Sequence, residues 1–296
     1  MGKVVGRVPV PQAGIPMLTV YSPAKLNLVL EVLGEEDHYH RISTIMQSIT
    51  LCDTLDFELS WELRFECDDP ALESDNLVAK AASLLQRTTA CDKGVYIKLH
   101  KRIPWGMGLG GGSSNAAAAL LTLNELWRLR LPLSRLVSLA CTLGSDVPFF
   151  LYKGTALVEG KGEKVTPLLS LPLTYFVLLV PPLPRLRDKT KRMYGRLDSS
   201  HFTQGQFVQR ALSSLAQGRA VTPGVMFNVF EKIAFDVFPA LKEYWNAFLN
   251  AGAASVHLAG SGPCLFSFFS EEKEARKLCS RLKSQGLSCY LACSFP

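Results

Sequence analysis

Apolar and polar residues alternate over much of the first half of the chain, which is typical of half-buried strands. Residues 17–33 alternate well enough for strands interrupted at Pro23. Apolar residues three and four apart predict helices instead, and Asp75 is placed to cap the first of them. Strands are predicted at 17–33, as a pair within 54–67, at 95–100 and as a strand and hairpin within 154–168, and helices at 75–89, 114–129 and 133–144, the last ending at Gly144.

The pattern changes after Pro167 and Pro172, where the run "LTYFVLLVPP" predicts a buried strand. Helical spacing then predicts helices near 189–197, 204–217, 225–250 and 271–285, and strands are predicted at 254–258, 264–269 and 288–294. Strands and helices mixed with hairpins indicate an α+β chain. We place a domain boundary near 165, which gives domains 1–165 and 166–296.

The composition is that of a globular enzyme. Of 296 residues 48% are apolar, which is ample for a sizeable core. The longest apolar runs, such as "YFVLLV" at 175–180, are far shorter than the roughly 20 residues that cross a bilayer. Residues 1–16 have no apolar stretch before their prolines and do not resemble a secretory signal. We therefore expect a cytoplasmic protein that does not bind membranes.

The eight cysteines show neither a C-x-x-C pair nor the Cys/His spacing of a zinc site. Most of them have apolar neighbours, as buried thiols do. We predict that they are reduced structural residues, in agreement with a cytoplasmic location.

Positive charge is concentrated in one segment. The net charge is +6, and "RLRDKTKRMYGR" at 185–196 contains six Lys or Arg residues and one Asp. This segment is either a solvated helix face or a clamp on an anionic ligand. A nucleic-acid surface would be broader, with aromatic residues between the charges. We therefore expect no nucleic-acid partner.

The stretch "PWGMGLGGGSSNAAAAL" at 104–120 holds five glycines in seven residues, directly before a predicted helix. Glycines allow backbone amides to approach a ligand, and a helix N-terminus adds free N–H donors and a positive dipole end. The stretch therefore predicts a phosphate-binding loop. A dinucleotide fold would need an acidic residue about 20 positions later, and a Walker A loop would need G-K-[ST]; neither is present. The partner motifs of a protein kinase, V-A-I-K, H-R-D and D-F-G, are missing as well.

The glycine stretch resembles the P-x-x-x-G-L-G-S-S-A-A signature of the GHMP kinase superfamily. Three further stretches resemble motifs of the same superfamily: "SPAKLNLVLEV" at 22–32, "LGSDVPFFL" at 143–151 and "LAGSGPCLF" at 258–266. The resemblance thus spans nearly the whole chain. It implies a two-domain GHMP kinase fold, with an N-terminal α/β domain like ribosomal protein S5 domain 2, a C-terminal ferredoxin-like α+β domain, and the active site in the cleft between them.

The G-L-G-G-G-S-S-N-A form of the motif is similar to one branch of the superfamily. That branch uses ATP to phosphorylate the 2-hydroxyl of a methylerythritol carrying cytidine diphosphate, in isoprenoid precursor synthesis. Mg²⁺ is expected with the ATP, with no protein ligands assigned, and no protein partner is inferred. The resemblance implies that ATP is bound by Pro104, Gly106, Gly108, Leu109, Gly110, Gly111, Gly112, Ser113, Ser114, Asn115 and Asn76.

The resemblance also implies catalytic and substrate-binding residues. Asp146 would be the general base and Lys25 the cation beside it, although an isolated Asp in such a turn is more often a cap and a lone Lys more often snorkels outward. "DHYH" at 37–40 resembles the family's D-G-Y-H, with His38 in place of the glycine, and Ala259 replaces a family threonine. The implied substrate-binding residues are Asn27, Tyr39, His40, Thr190, Tyr194, Gly260, Ser261 and Gly262.

Two other functions are considered. Another GHMP kinase, acting on a sugar, homoserine or mevalonate, would not need the base-recognising pair Tyr39 and His40. A basic RNA-binding module would use the positive segment at 185–196 and would have no need of Asp146 beside a phosphate-binding loop. Its RNA affinity would fall steeply with salt.

Overall fold

The computed structural model describes residues 17–36, 39–186, 188–218 and 222–295. These residues form two β-sheets and nine α-helices. The elements in chain order are β1 (Leu18–Glu36), β2 (Tyr39–Ser60), β3 (Leu63–Cys67), α1 (Leu77–Thr89), β4 (Gly94–His100), α2 (Gly111–Leu126), α3 (Leu133–Leu143), α4 (Val147–Tyr152), β5 (Thr155–Gly160), β6 (Lys164–Pro167), β7 (Tyr175–Leu179), α5 (Lys189–Tyr194), α6 (Gln206–Ala216), β8 (Phe227–Asn228), α7 (Ala234–Val237), α8 (Leu241–Asn250), β9 (His257–Leu258), β10 (Leu265–Phe269), α9 (Glu272–Ser284) and β11 (Cys289–Cys293).

The first sheet has seven strands in the order β3-β4-β2-β1-β8, with β5 paired to β2 and β6 paired to β5. Its centre is the long antiparallel pair of β1 and β2. The interruption predicted at Pro23 is a register shift between Pro23 and Ala24 within one continuous strand. Proline has no backbone N–H to donate, so the ladder shifts there while long-range pairing keeps the strand extended.

Helices α1 to α4 cover this first sheet, and α2 lies at their centre. Ala116, Ala117 and Ala119 of α2 are fully buried in a core with Phe57 of β2 and Phe149 of α4. Alanine side chains are short, so neighbouring elements approach α2 closely on several sides. The helix that follows the glycine stretch is therefore held rigidly in the core.

The second sheet has the order β11-β7-β10-β9 and is antiparallel throughout. Helix α9 packs on it through Ala275, Leu278 and Leu282, which share a core cluster with Val177 and Leu265. Strand β8, which follows the second sheet's first strand in the chain, pairs in parallel with β1 and so joins the first sheet. The domain boundary near 165 stays a prediction.

Most predicted elements are present, and all eight cysteines are free thiols, as predicted.

The prediction of a single helix over 225–250 is wrong. That segment is β8, a 3-10 turn, α7 and α8. The side chain of Asn228 accepts a hydrogen bond from the N–H of Phe230 and so begins a new turn. Pro239 follows α7 and disfavours helical backbone in the residue before it.

Two local predictions in the first half are also corrected. Asp75 does not cap α1: it has φ +59°, and Asn76 is the cap, accepting from the N–H of Val78 at 2.9 Å. The two strands within 54–67 are not paired with each other, because β4 lies between β2 and β3. A single sequence does not show which distant strand will insert between two neighbours.

Two glycine turns from distant parts of the chain lie against each other. Gly108 has φ +84°, and a Cβ atom on it would be 1.9 Å from the carbonyl oxygen of Ala259. In the opposing turn, a Cβ on Gly260 would lie 3.0 Å from the carbonyl oxygen of Gly108. Only backbone fits between the two turns, and this close approach sets their separation.

The base of the first glycine turn is anchored by Asp53, which is fully buried in β2. Its Oδ1 accepts from the N–H groups of Arg102 (2.7 Å) and Ile103 (2.8 Å), and its Oδ2 accepts from Asn115 Nδ2 (3.0 Å) and from the ammonium of Lys101. Because Asn115 belongs to α2, one carboxylate ties the chain on both sides of the glycine turn to the sheet. A buried charge satisfied in this way is costly to disturb.

The helices of the described segments include none with the length and apolar character needed to span a membrane.

We predict that Gly108→Ala lowers the free energy of unfolding by at least about 1–2 kcal/mol, the usual cost of left-handed backbone for a residue with a Cβ. The clash with Ala259 adds to this. Gly112→Ala is the matched control, since its Cβ would have ordinary contact at 3.8 Å and lies in a helix, where alanine is favoured. Urea unfolding measures both. Equal effects of the two substitutions would contradict the packing described here.

We predict that Asp53→Ala destabilises the protein by about 3–5 kcal/mol, because it leaves the buried ammonium of Lys101 without its partner. The measurement is the urea unfolding midpoint with an unchanged slope. Glu272→Ala, which removes an exposed carboxylate paired with Arg276, leaves the midpoint unchanged. A midpoint for Asp53→Ala that matches this control would show that the anchor does not stabilise the fold.

Candidate active site

The first glycine turn, residues 106–110, leads directly into the N-terminus of α2. Gly106, Gly108 and Gly110 all have positive φ (78°, 84° and 72°), a conformation that side chains with a Cβ rarely adopt. Gly110 is the residue before α2, and among the described residues no side chain caps the helix there. The first amides of α2 thus remain available as donors, which is the usual arrangement for binding phosphate.

The same turn is bonded to β1 beside a buried lysine. The N–H of Lys25 donates to the carbonyl of Leu109 at 2.9 Å, and the side chain of Lys25 is 5% exposed. Lys25 Nζ donates to Asn27 Oδ1 at 2.7 Å, and Asn27 Nδ2 donates to Thr44 Oγ1 at 2.9 Å. Lys25 therefore does not snorkel outward. Its ammonium is held beneath the glycine turn by a chain of hydrogen bonds.

Asp146 faces this ammonium. Its Oδ2 lies 3.4 Å from Lys25 Nζ, and its side chain is 34% exposed. Asp146 occupies the cap position of α4, yet within the described part of the chain its carboxylate caps no backbone amide. The ordinary structural role of an Asp at this position is therefore unused. The carboxylate is held beside a cation and can accept a proton from a group in the cleft.

The second glycine turn closes the site from the other side. A Cβ on Gly260 would lie 3.1 Å from Lys25 Nζ and 3.2 Å from Asn27 Oδ1. Ser261 is nearly buried, and its Oγ is 3.2 Å from Thr190 Oγ1 of α5. The turn is held from behind by Asn228, whose Nδ2 donates to the carbonyls of Leu258 and Gly260. Residues of β1, α5, β8 and the turn 260–262 thus meet beside the ammonium of Lys25.

A cleft of about 430 Å³ leads from this point to a group of aromatic side chains. His40 and Tyr194 stack with ring centroids 4.8 Å apart, and Tyr194 packs edge-on against Phe230. Tyr39 is 58% exposed, with the ammonium of Lys161 4.1 Å from its ring centroid. The cleft is lined by Tyr39, His40, Ile42, Ser113, Ser145, Asp146, Lys161, Thr190, Lys191 and Tyr194.

Burial raises the pKa of the Tyr194 hydroxyl, so the ring stays neutral at physiological pH. A neutral aromatic surface beside a histidine suits a flat ligand such as a nucleobase. His38, which replaces a family glycine, lies outside the described residues.

Several residues predicted to bind ATP are used inside the protein. Asn76 caps α1 and its Nδ2 donates to the carbonyl of Leu72. Ser114 and Asn115 are buried, with Ser114 accepting from the hydroxyl of Ser22 and Asn115 donating to Asp53. Ser113 lines the cleft. Roles in ATP binding for these residues stay predictions, as does that of Pro104.

Sequence reasoning missed three residues. Asp53 gave no signal, because an aspartate in a strand is usually on the solvated face. Lys161 and Lys189 are in charged stretches, and only the fold shows that Lys161 contacts Tyr39 and that Lys189 donates to the carbonyl of Gly262. Clusters of three His, Cys, Asp or Glu residues that could hold a metal ion do not occur in the described segments.

Known protein families match both halves of the chain. The sequence-family model of the GHMP kinases N terminal domain matches residues 76–154. The family model of the GHMP kinases C terminal domain matches residues 209–287. The chain is 44% identical to a 4-diphosphocytidyl-2-C-methyl-D-erythritol kinase of Dehalococcoides mccartyi over 93% of this chain and 97% of that one. It is 36% identical to the kinase of the same name from Syntrophus aciditrophicus, over 88% and 93% of the two chains.

Solved structures show the same fold. A crystal structure of 4-(cytidine 5'-diphospho)-2C-methyl-D-erythritol kinase has a TM-score of 0.80 and 34% identity, covering 94% of this chain and all of that one. A homoserine kinase from Cytophaga hutchinsonii has a TM-score of 0.72 at 19% identity, over 98% and 97% of the chains, which shows the shared fold alone. The predicted two-domain GHMP kinase fold is confirmed. The chain belongs to the GHMP kinases, in the family of the 4-diphosphocytidyl-2-C-methyl-D-erythritol kinases.

Proposed function

We propose that this kinase transfers the γ-phosphoryl group of ATP to the 2-hydroxyl of 4-diphosphocytidyl-2-C-methyl-D-erythritol, forming the 2-phosphate and ADP, in the cytoplasm. The observation that carries the proposal is the Lys25–Asp146 pair, 3.4 Å apart, at the mouth of a cleft beside an uncapped helix N-terminus. The relatives and the solved structure that share this chain's family are named as kinases of this compound.

The chemistry follows from the arrangement of charges. The amides at the start of α2 hold the terminal phosphates of ATP, and the acceptor hydroxyl lies between them and Asp146. The proton of that hydroxyl passes to the Asp146 carboxylate, the acceptor oxygen bonds to the γ-phosphorus, and the bond from this phosphorus to the ADP oxygen breaks. Lys25, 3.4 Å from the carboxylate, stabilises the developing negative charge on the acceptor oxygen.

The aromatic end of the cleft recognises the cytidine. Tyr39 and Tyr194 offer ring faces, and His40 offers ring nitrogens to the base edge. Thr190, Ser261 and the glycine turn 260–262 lie between that end and Lys25, where the methylerythritol part binds. Asn27 would contact the hydroxyls of the acceptor.

Mg²⁺ enters with ATP, because this ion usually keeps several waters and is bound mainly through substrate phosphates. When bound, the ion would neutralise negative charge on the ATP phosphates. The test is dialysis against a chelator followed by an assay with and without added Mg²⁺, in which activity returns only with the ion.

We predict that Asp146→Asn lowers kcat by at least about 10²-fold, because an amide cannot accept the proton of the acceptor hydroxyl. Binding of a non-hydrolysable ATP analogue, measured by calorimetry, stays close to wild type, since the phosphates are held by backbone amides. Asp198→Asn, at an exposed site, is the control and keeps full activity. Turnover by Asp146→Asn equal to this control would remove Asp146 from the mechanism.

We predict that Tyr39→Ala raises KM for the cytidine substrate about 5- to 150-fold, the equivalent of about 1–3 kcal/mol of base stacking. Tyr21→Ala removes a similarly exposed tyrosine on β1 and leaves KM unchanged. Steady-state kinetics with ATP held at saturation makes the comparison. In a separate assay the wild type is offered a sugar, homoserine and mevalonate as acceptors. Phosphorylation of one of these in preference to the cytidine substrate would overturn the proposed function.

A further inference from the structure

Lys189 is a second lysine beside the glycine turn 260–262. It is the first residue of α5 and is only partly exposed. Its ammonium donates to the carbonyl oxygen of Gly262, in the glycine turn that also approaches Lys25. The ammonium has two further N–H donors besides this one. The mechanism above gives this residue no part.

The charges around Lys189 are unbalanced. Lys25 on β1 and Asp146 before α4 both act on it, as does Cys264 beyond the glycine turn. Burial raises the pKa of the Cys264 thiol to about 12, so Cys264 is neutral and supplies no compensating charge. Two ammonium groups therefore share one carboxylate among the described groups that act here. Such an arrangement is favourable when an anion binds between them.

The pKa of Lys189 reports the same imbalance. Burial, and after it the charge of Lys25, lowers this pKa to about 8, while Asp146 opposes the shift. Lys189 is thus protonated at neutral pH and loses its charge a little above it. An anionic ligand would stabilise the charged form.

The position of Lys189 on α5 indicates that the anion binds at the reacting end of the cleft. Lys189 and Tyr194 are at opposite ends of this helix, about 7.5 Å apart along its axis at 1.5 Å per residue. Tyr194 stacks on His40 at the aromatic end of the cleft, whereas Lys189 contacts the glycine turn beside Lys25 and Asn27. One helix therefore spans the distance from the base-binding end to the reacting end.

We propose that Lys189 is a further catalytic residue, whose ammonium, together with that of Lys25, binds the phosphoryl group as it passes from ATP to the acceptor. This inference rests on the proposed function. The substrate's own diphosphate is a second source of the same phosphate chemistry, and the experiment separates the two.

The first test is Lys189→Met, which keeps the length and the packing of the side chain and removes the charge. Its kcat falls by about 10²–10³, the usual loss for one donor to a transition-state oxyanion. Arg192→Met, an exposed residue on the same helix, is the matched control and keeps wild-type kcat and KM. Circular dichroism and thermal melting check that both variants fold.

The result for Lys189→Met has three informative outcomes. A fall in kcat supports the proposal, because it shows an interaction made in the transition state. A raised KM with unchanged kcat assigns Lys189 to the diphosphate and overturns the proposal. Kinetics equal to those of Arg192→Met also overturn it. If the wild-type protein does not phosphorylate the cytidine substrate, the proposed function itself is wrong. The wild type alone shows this, so the result is distinct from any outcome of the variants.

The second test is the pH profile, which remains available if Lys189→Met does not fold. The charged form of Lys189 is the active one, so kcat/KM of the wild type falls about tenfold per pH unit above pH 8. In Lys189→Arg the guanidinium stays charged, and the decline that begins near pH 8 is absent. An unchanged alkaline limb in Lys189→Arg would overturn the proposal.

Discussion

The active site depends on the contact between two glycine turns. Gly108 and Ala259 belong to segments 150 residues apart, and a single Cβ at Gly108 would collide with the Ala259 carbonyl. This contact sets the distance between the N-terminus of α2, proposed to bind phosphate, and the turn proposed to border the acceptor. Lys25 contacts both turns, through its N–H to Leu109 and through its ammonium beside Gly260.

The rest of the structure supports that contact from behind. Asp53 ties the chain before the first turn, and Asn115 after it, to the central strand β2. Asn228 holds the second turn through two of its carbonyls. Because both supports are buried and fully committed to hydrogen bonds, the turns are preorganised before a ligand arrives. Preorganised donors need no rearrangement at the moment of reaction, which is the main source of electrostatic catalysis.

The positively charged segment 185–196 contributes only some of its residues to the site. From sequence, this segment is either a solvated face or an anion clamp, and the structure gives its residues different surroundings. Lys189 reaches the glycine turn and Tyr194 the aromatic end, while Arg192 and Arg196 are exposed. A run of positive residues on a short helix necessarily presents some to solvent and some to the protein, because successive residues point in different directions around the helix axis.

The pair of Lys25 and Asp146 was implied by the resemblance to the GHMP kinase motifs, since the two residues are far apart in the chain. Local patterns in the sequence were enough to predict most strands and helices and the glycine turn before α2. These features depend on neighbours in the chain: periodicity, glycine content and capping residues act over a few positions. The helix predicted over 225–250 failed because the side chain of Asn228 begins a new turn and Pro239 disfavours helical backbone before it, although Pro239 is a local signal against one long helix. Only the tertiary structure decided that β4 separates β2 from β3, that Asp53 is an internal anchor and that Lys189 reaches the carbonyl of Gly262. Those features require residues far apart in the chain to meet, and the free energy that brings them together comes from packing across the whole fold.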